Sequence, residues 1–340
     1  MVSAGRIPTW IWAVLLSVGL VATVTTAVTF GPADITAQDV WASILHHVGI
    51  GRSPLDPLRD GIVWQLRMPR VLTAAAVGAG LAIAGAVMQA LTRNALADPY
   101  LLGLSSGASL GAVAVLLLGI GLLLPLAAFV GALAALLLTL VIAGAQGALT
   151  PTRTVLAGVA VSSFGAALTS FVIFWTATGD SYREILSWLL GSLAGADWQA
   201  VGIGFGALAL VGVPIAVAGR SLDAFAFGDT AAAALGVSVT RTRWVLLVGT
   251  ALLTGAMVSV SGSIGFVGLV LPHAVRLVVG SRHRVLLPLA ALVGASFLIW
   301  CDTLARSLFD PRELPVGIIT AVIGAPIFVA LLTRTSARTT

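Results

Sequence analysis

Ten apolar runs, each about long enough to cross a bilayer, leave this chain little choice of fold. They fall at roughly 10–30, 69–91, 101–120, 122–145, 153–177, 198–218, 243–261, 263–280, 285–305 and 315–333, separated by Gly, Pro and charged residues. A crossing helix needs about 20 apolar residues. Only 9% of the residues are charged, where a soluble domain carries about 25%. The reading is an all-α polytopic membrane protein of about ten transmembrane helices in one bundle, a single domain over residues 1–340. The first run follows a short Arg6-bearing segment; its length and the lack of a cleavage-type end mark it as a retained helix rather than a signal peptide.

An even number of crossings puts both termini on the same side. With the termini cytoplasmic, the inner loops and span ends hold 11 of the 18 Arg and 3 of the 13 acids. The sign of that bias places both termini inside; a bacterial cytoplasmic membrane is the expected location. Trp10, Trp12, Trp64, Trp175, Trp198 and Trp244 lie near span ends, as an aromatic belt requires. The basic residues are scattered singly, so membrane lipid, not nucleic acid, is the expected surrounding. All 18 are Arg. Without a Lys the chain cannot build a G-x-x-x-x-G-K-[ST] phosphate loop, so any ATP and Mg would be held by a separate subunit.

Other chemistries find little support. The lone Cys301 reads as apolar filler, and the adjacent His46 and His47 as solvated residues of an outer loop, not metal ligands. His273, in Leu271-Pro272-His273, is expected to hydrogen-bond between helices, with Pro272 kinking its own. No Asp or Glu lies mid-span, which argues against an ion-coupled secondary transporter, kept as a distant alternative. No H-E-x-x-H occurs, and His273 has no acidic neighbour, which argues against an intramembrane enzyme. No catalytic residue, metal or cofactor is assigned to this chain.

Three stretches do not span. The outer loop 31–68 contains a candidate surface helix, Thr36 to Val48. The outer loop 178–197 contains Arg183-Glu184-Ile185-Leu186-Ser187-Trp188-Leu189-Leu190, which reads as a short amphipathic helix. In the cytoplasmic loop 219–242, Asp229 is expected to N-cap a helix running to Leu235, with Gly236 as its C′ stop. Leu222, Phe225 and Phe227 just upstream need an apolar partner. Within the spans, Gly78, Ala82 and Ala86 repeat at the spacing that lets helices approach closely.

Two long segments carry a resemblance. One is RMPRVLTAAAVGAGLAIAGAVMQALTRNALADPYLLGLSSGASLGA from Arg67; the other is SGSIGFVGLVLPHAVRLVVGSRHRVLLPLAALVGASFLIWCDTLAR, followed by ELPVGIITAVIGAPIF. They resemble the FecCD-type permeases of ATP-binding-cassette importers, the family of vitamin B12, haem and ferric-siderophore permeases. The resemblance implies a homo- or heterodimer of ten-helix subunits, two cytoplasmic ATPase subunits, and a periplasmic or lipid-anchored binding protein. It implies that Arg67 and Arg306 dock the binding protein as outer-face cations; Arg70, closer to the bilayer edge, is read as the structural Arg. It makes loop 219–242 the ATPase-coupling element, with Leu222, Phe225, Phe227, Asp229, Leu235 and Gly236. It assigns Asn94, Leu96 and Thr152 to an inner gate, where Ala95 replaces the usual Pro and puts the loop's stiffness in question. The expected cargo is an iron chelate, a ferric siderophore first, with haem and cobalamin as alternatives.

Overall fold

Each of the ten apolar runs forms a helix, and no strand occurs among the described residues. The computed structural model describes residues 8–51, 53, 55–120, 123–145, 150–176, 179–309 and 312–336. Arg6, Arg52 and Arg338, part of the charge tally above, lie outside them. In chain order the helices are α1 (Thr9–Thr29), α2 (Ala37–His47), α3 (Pro57–Thr92), α4 (Leu104–Leu117), α5 (Leu124–Gly144), α6 (Pro151–Thr176), α7 (Gly179–Leu189), α8 (Trp198–Val217), α9 (Gly219–Phe225), α10 (Asp229–Ala234), α11 (Val239–Ser261), α12 (Val267–Val279), α13 (His283–Ser307) and α14 (Val316–Ser336). Seven of them, α1, α3, α5, α6, α8, α11 and α13, are long and apolar enough to cross a bilayer; α4, α12 and α14 are shorter apolar helices.

Helix starts follow local chemistry that hydropathy does not register. The second apolar run was expected from residue 69, yet α3 begins at Pro57. Asp56 accepts from the Leu58 and Arg59 N–H groups at 3.0 Å each, and Pro57 supplies a φ already suited to a first turn. The surface helix α2 starts on Thr36, whose hydroxyl accepts from Asp39 N while the Asp39 carboxylate accepts from Thr36 N, a capping box. The amphipathic segment after residue 178 forms α7, as its pattern predicts.

The bundle is built around α3. Its apolar window is 94% buried, against 17% for α1, so α3 is the central helix and α1 a peripheral one. Its most extensive contact is with α13, followed by α11 and α12. Lipid offers no hydrophobic drive between helices, so this contact depends on close approach of backbones. A Cβ at Gly78 would lie 2.2 Å from the Gly294 carbonyl oxygen, and one at Gly294 would lie 2.8 Å from Ala82 Cβ. The small-residue stripe expected at Gly78 and Ala82 is therefore the α3–α13 seam. Gly78→Ala should cost about 1–3 kcal/mol through forced separation of the two helices, seen as a lower unfolding midpoint of the purified protein in detergent. An unchanged midpoint would mean the seam yields freely.

Pro272 sits inside α12 and has no N–H to give the Gly268 carbonyl one turn earlier. A side chain from α3 fills that gap. Gln89 Nε2 donates to Leu269 O at 3.0 Å and to Gly268 O at 3.4 Å. The interhelical hydrogen bond expected of His273 is not made: its buried Nδ1 has no partner among the described residues. Gln89 has taken the carbonyls next to the proline instead.

Candidate functional site

The two ends of α13 define two regions. At one end, α1 stops at Thr29 and leaves its last carbonyls without helical donors. Arg67 Nη1 donates to Val28 O at 2.9 Å and Thr29 O at 3.1 Å, and its Nη2 to Ala33 O at 3.3 Å. Arg306 Nη1 donates to Phe30 O at 2.8 Å, and its Nη2 to Ala27 O. Two cations thus cap the negative end of one helix. The expectation of free outer-face cations is corrected: Arg67 is 7% exposed and the Arg306 side chain 9%. Hydropathy located both at a span end, but only packing reveals that the end of α1 lies between them.

Arg70 is structural, as expected. Its Nε and Nη2 each meet an Asp302 oxygen at 2.9 Å, and Nη1 meets Glu313 Oε2 at 2.7 Å. A bidentate guanidinium–carboxylate pair is the strong form of such a contact. Asp302 also lies 3.8 Å from Arg306 Nε, so the α3–α13 ion pair and the cap on α1 form one network.

Beside this network lies a cluster the sequence reading missed. His47 stacks on Trp64 with ring centroids 4.1 Å apart, and Trp198 Nε1 donates to Trp64 O at 3.0 Å. Asp60 accepts from the Ser43 and Ser53 hydroxyls at 2.7 and 3.0 Å, and His47 Nε2 stands 3.6 Å from its other oxygen. His47 is exposed, as expected of a solvated residue, and its ring also pins α2 to α3.

At the opposite end, the short helices α9 and α10 carry the residues expected in a coupling element, sorted into two groups. Leu222 and Phe225 are buried in the core, so their apolar partner is the bundle itself. The Arg243 guanidinium lies over the Phe225 ring at 5.4 Å and binds both Asp229 oxygens at 2.8 and 3.0 Å. The expected Asp229 N-cap is thereby corrected: α10 starts at Asp229 after Gly228, and the carboxylate turns to the α11 cation instead. Asp223 makes a second tie, accepting from His283 N at 2.8 Å and facing His283 Nδ1 at 2.7 Å. Gly236 has φ +82° and donates to Ala233 O, while Val237 N donates to Ala232 O, a Schellman stop at the predicted C′ position. Phe227 and Leu235, 75% and 67% exposed, face outward from either end of α10.

The loop expected to form an inner gate follows α3. Asn94 Oδ1 accepts from Leu96 N at 2.9 Å, and Asn94 O accepts from Ala97 N at 3.1 Å. This Asx turn supplies the stiffness in question at Ala95. Asp98 then accepts from Tyr100 N at 2.8 Å, and burial pushes its carboxyl up to about 6 against that hydrogen bond. The Tyr100 hydroxyl donates to Ile264 O at 3.0 Å and accepts from Ile264 N at 3.2 Å, tying the loop to the turn before α12. Asn94 and Leu96 are exposed, as is Thr152 in the first turn of α6.

Residues 19–334 match the FecCD transport family. Over 94% of its length the chain is 41% identical to a cobalamin import system permease protein, BtuC, of Halobacterium salinarum, covering 95% of that protein. Over 80% of its length it is 44% identical to the Fe(3+) dicitrate transport system permease protein FecD of Escherichia coli, covering 85% of it. Among solved structures, an inward-facing metal-chelate type ABC transporter superposes with a TM-score of 0.84 at 31% identity, over 95% of this chain and 98% of that one.

Proposed function

Starting from the fact that this chain belongs to the FecCD transport family and is a membrane-embedded permease of the ABC-importer type, we propose that it carries an iron chelate into the cytoplasm, a ferric siderophore first. In this reading it lies in the cytoplasmic membrane with both termini inside. It pairs with a second permease subunit, receives cargo from a binding protein at the α1 end, and is driven by two ATPase subunits that hold the ATP and Mg. The chain contributes motion and a pathway, with no cofactor of its own.

The observation that carries the reading is the division of labour in α9 and α10. Leu222, Phe225, Asp223 and Asp229 tie the element rigidly to α11 and α13, while Phe227 and Leu235 remain outside the bundle. A body fixed to two spanning helices and apolar on its free side suits the transfer of a rigid displacement from a docked subunit. The gate loop with Asn94 and Leu96, and Thr152 at the start of α6, would move with that displacement. Docking of the binding protein falls to the surface shaped by the α1 end, which Arg67 and Arg306 hold in place.

Cobalamin is the second reading, favoured by the relative named for it; haem is the third. The test is reconstitution in liposomes with the cognate ATPase and binding protein, loaded in turn with ferric siderophore, cobalamin and haem. ATP hydrolysis and uptake should rise with the ferric siderophore alone. Stimulation by cobalamin or haem instead would reassign the cargo, and hydrolysis by the isolated chain would overturn the division between permease and ATPase.

A further inference from the structure

We propose that the end of the bundle carrying the α1 start holds a phospholipid with an anionic headgroup, in a cavity between α1 and the α12–α13 turn. The cavity has a volume of about 680 Å³ and is lined by Thr9, Trp12, Val278, Val279, Gly280, Ser281, Arg282 and Val285. That size lies within the range of about 300–1,000 Å³ usual for ligand sites.

Its lining is divided as a lipid is. On the polar side stand the Arg282 guanidinium and the Ser281 and Thr9 hydroxyls, and no carboxylate is among the lining residues. Arg282 is exposed and forms no ion pair with any described residue. The long helix α1 also begins here, at Thr9, with no side-chain cap, so the positive end of its dipole and its first N–H groups face this space, whereas the α13 start is already taken by the Asp223 carboxylate on His283 N. On the apolar side, Trp12, Val279 and Val285 belong to a cluster continuing through Ala13, Leu16, Leu292 and Val293 along the bundle axis. A phosphodiester can take the guanidinium in a two-point contact. Trp12 suits the glycerol level, and the apolar stripe below suits an acyl chain. Basic pockets between helix ends are a recurrent mode of binding anionic headgroups. A soluble anion would use the polar half alone; the continuous apolar wall commits the site to a lipid.

The test uses the full chain purified in neutral detergent, with phosphatidylglycerol, phosphatidylcholine or inorganic phosphate added, and retained lipid counted by native mass spectrometry. The wild type should retain one phosphatidylglycerol in preference to phosphatidylcholine. Arg282→Gln should lower that occupancy about tenfold or more, the loss of one charge-assisted contact, and Arg282→Lys should restore part of it. Arg220→Gln, which removes an exposed cation elsewhere, should leave it unchanged. Each variant is first confirmed monodisperse. Equal retention of the two lipids, an unaffected R282Q, or an equal loss in R220Q would overturn the proposal. Displacement of the lipid by millimolar phosphate would overturn its commitment to a lipid. None of these readouts involves transport, so the result is independent of the cargo assignment.

Discussion

Asp302→Ala should unfold in detergent with a loss of about 3–5 kcal/mol, the usual cost of leaving one member of a buried ion pair without its partner. The Asp302 side chain is 2% exposed and receives two hydrogen bonds from Arg70 at 2.9 Å, with Arg306 nearby. Removing the carboxylate leaves Arg70 facing only the half-exposed Glu313 and brings it into unbalanced proximity to Arg306, so the cap on α1 should loosen as well. The double variant Arg70→Met, Asp302→Leu should recover most of the loss, because it removes both buried charges together. A single variant with the wild-type unfolding midpoint would show that water, not the pair, satisfies Arg70.

The second large effect is functional. Phe227→Asp combined with Leu235→Asp should leave unfolding within about 0.5 kcal/mol of wild type, as expected for exposed positions. In reconstituted complexes it should abolish stimulated ATP hydrolysis or reduce uptake at least about tenfold, since two carboxylates would replace the apolar free side of α10 at the proposed subunit contact. Phe225→Asp provides the contrast. That ring lies in the core under Arg243, so its replacement should appear first as misfolding. Normal coupling in the Phe227/Leu235 variant would remove the free side of α10 from the site.

These contrasts mark how far the sequence could be read. Gly236 was legible as a helix stop because its role is local: a chain turning out of a helix needs positive φ at that residue whatever surrounds it. Phe225 and Phe227 were not separable, because two residues of the same type in one short interrupted segment differ only in what lies above them. Asp229 looked like an N-cap because such caps are common before Ala-rich turns, but Arg243 on the next helix offered its carboxylate a stronger partner. Arg67 and Arg306 looked like outer-face cations because the main-chain carbonyls they cap lie roughly 40 and 280 residues away in sequence.

The amino-acid sequence by itself determined that the chain is helical, that it crosses the bilayer repeatedly, that it lacks the means to bind ATP through a phosphate loop, and which family it joins. These follow from composition, run length and short motifs, each a property of consecutive residues. Only the tertiary structure decided which cations are buried caps, which aromatics are anchors and which remain free, and where a helix start and an arginine enclose one cavity. Those outcomes depend on distances between segments far apart along the chain, which the close approach of helices such as α3 and α13 fixes and hydropathy cannot encode.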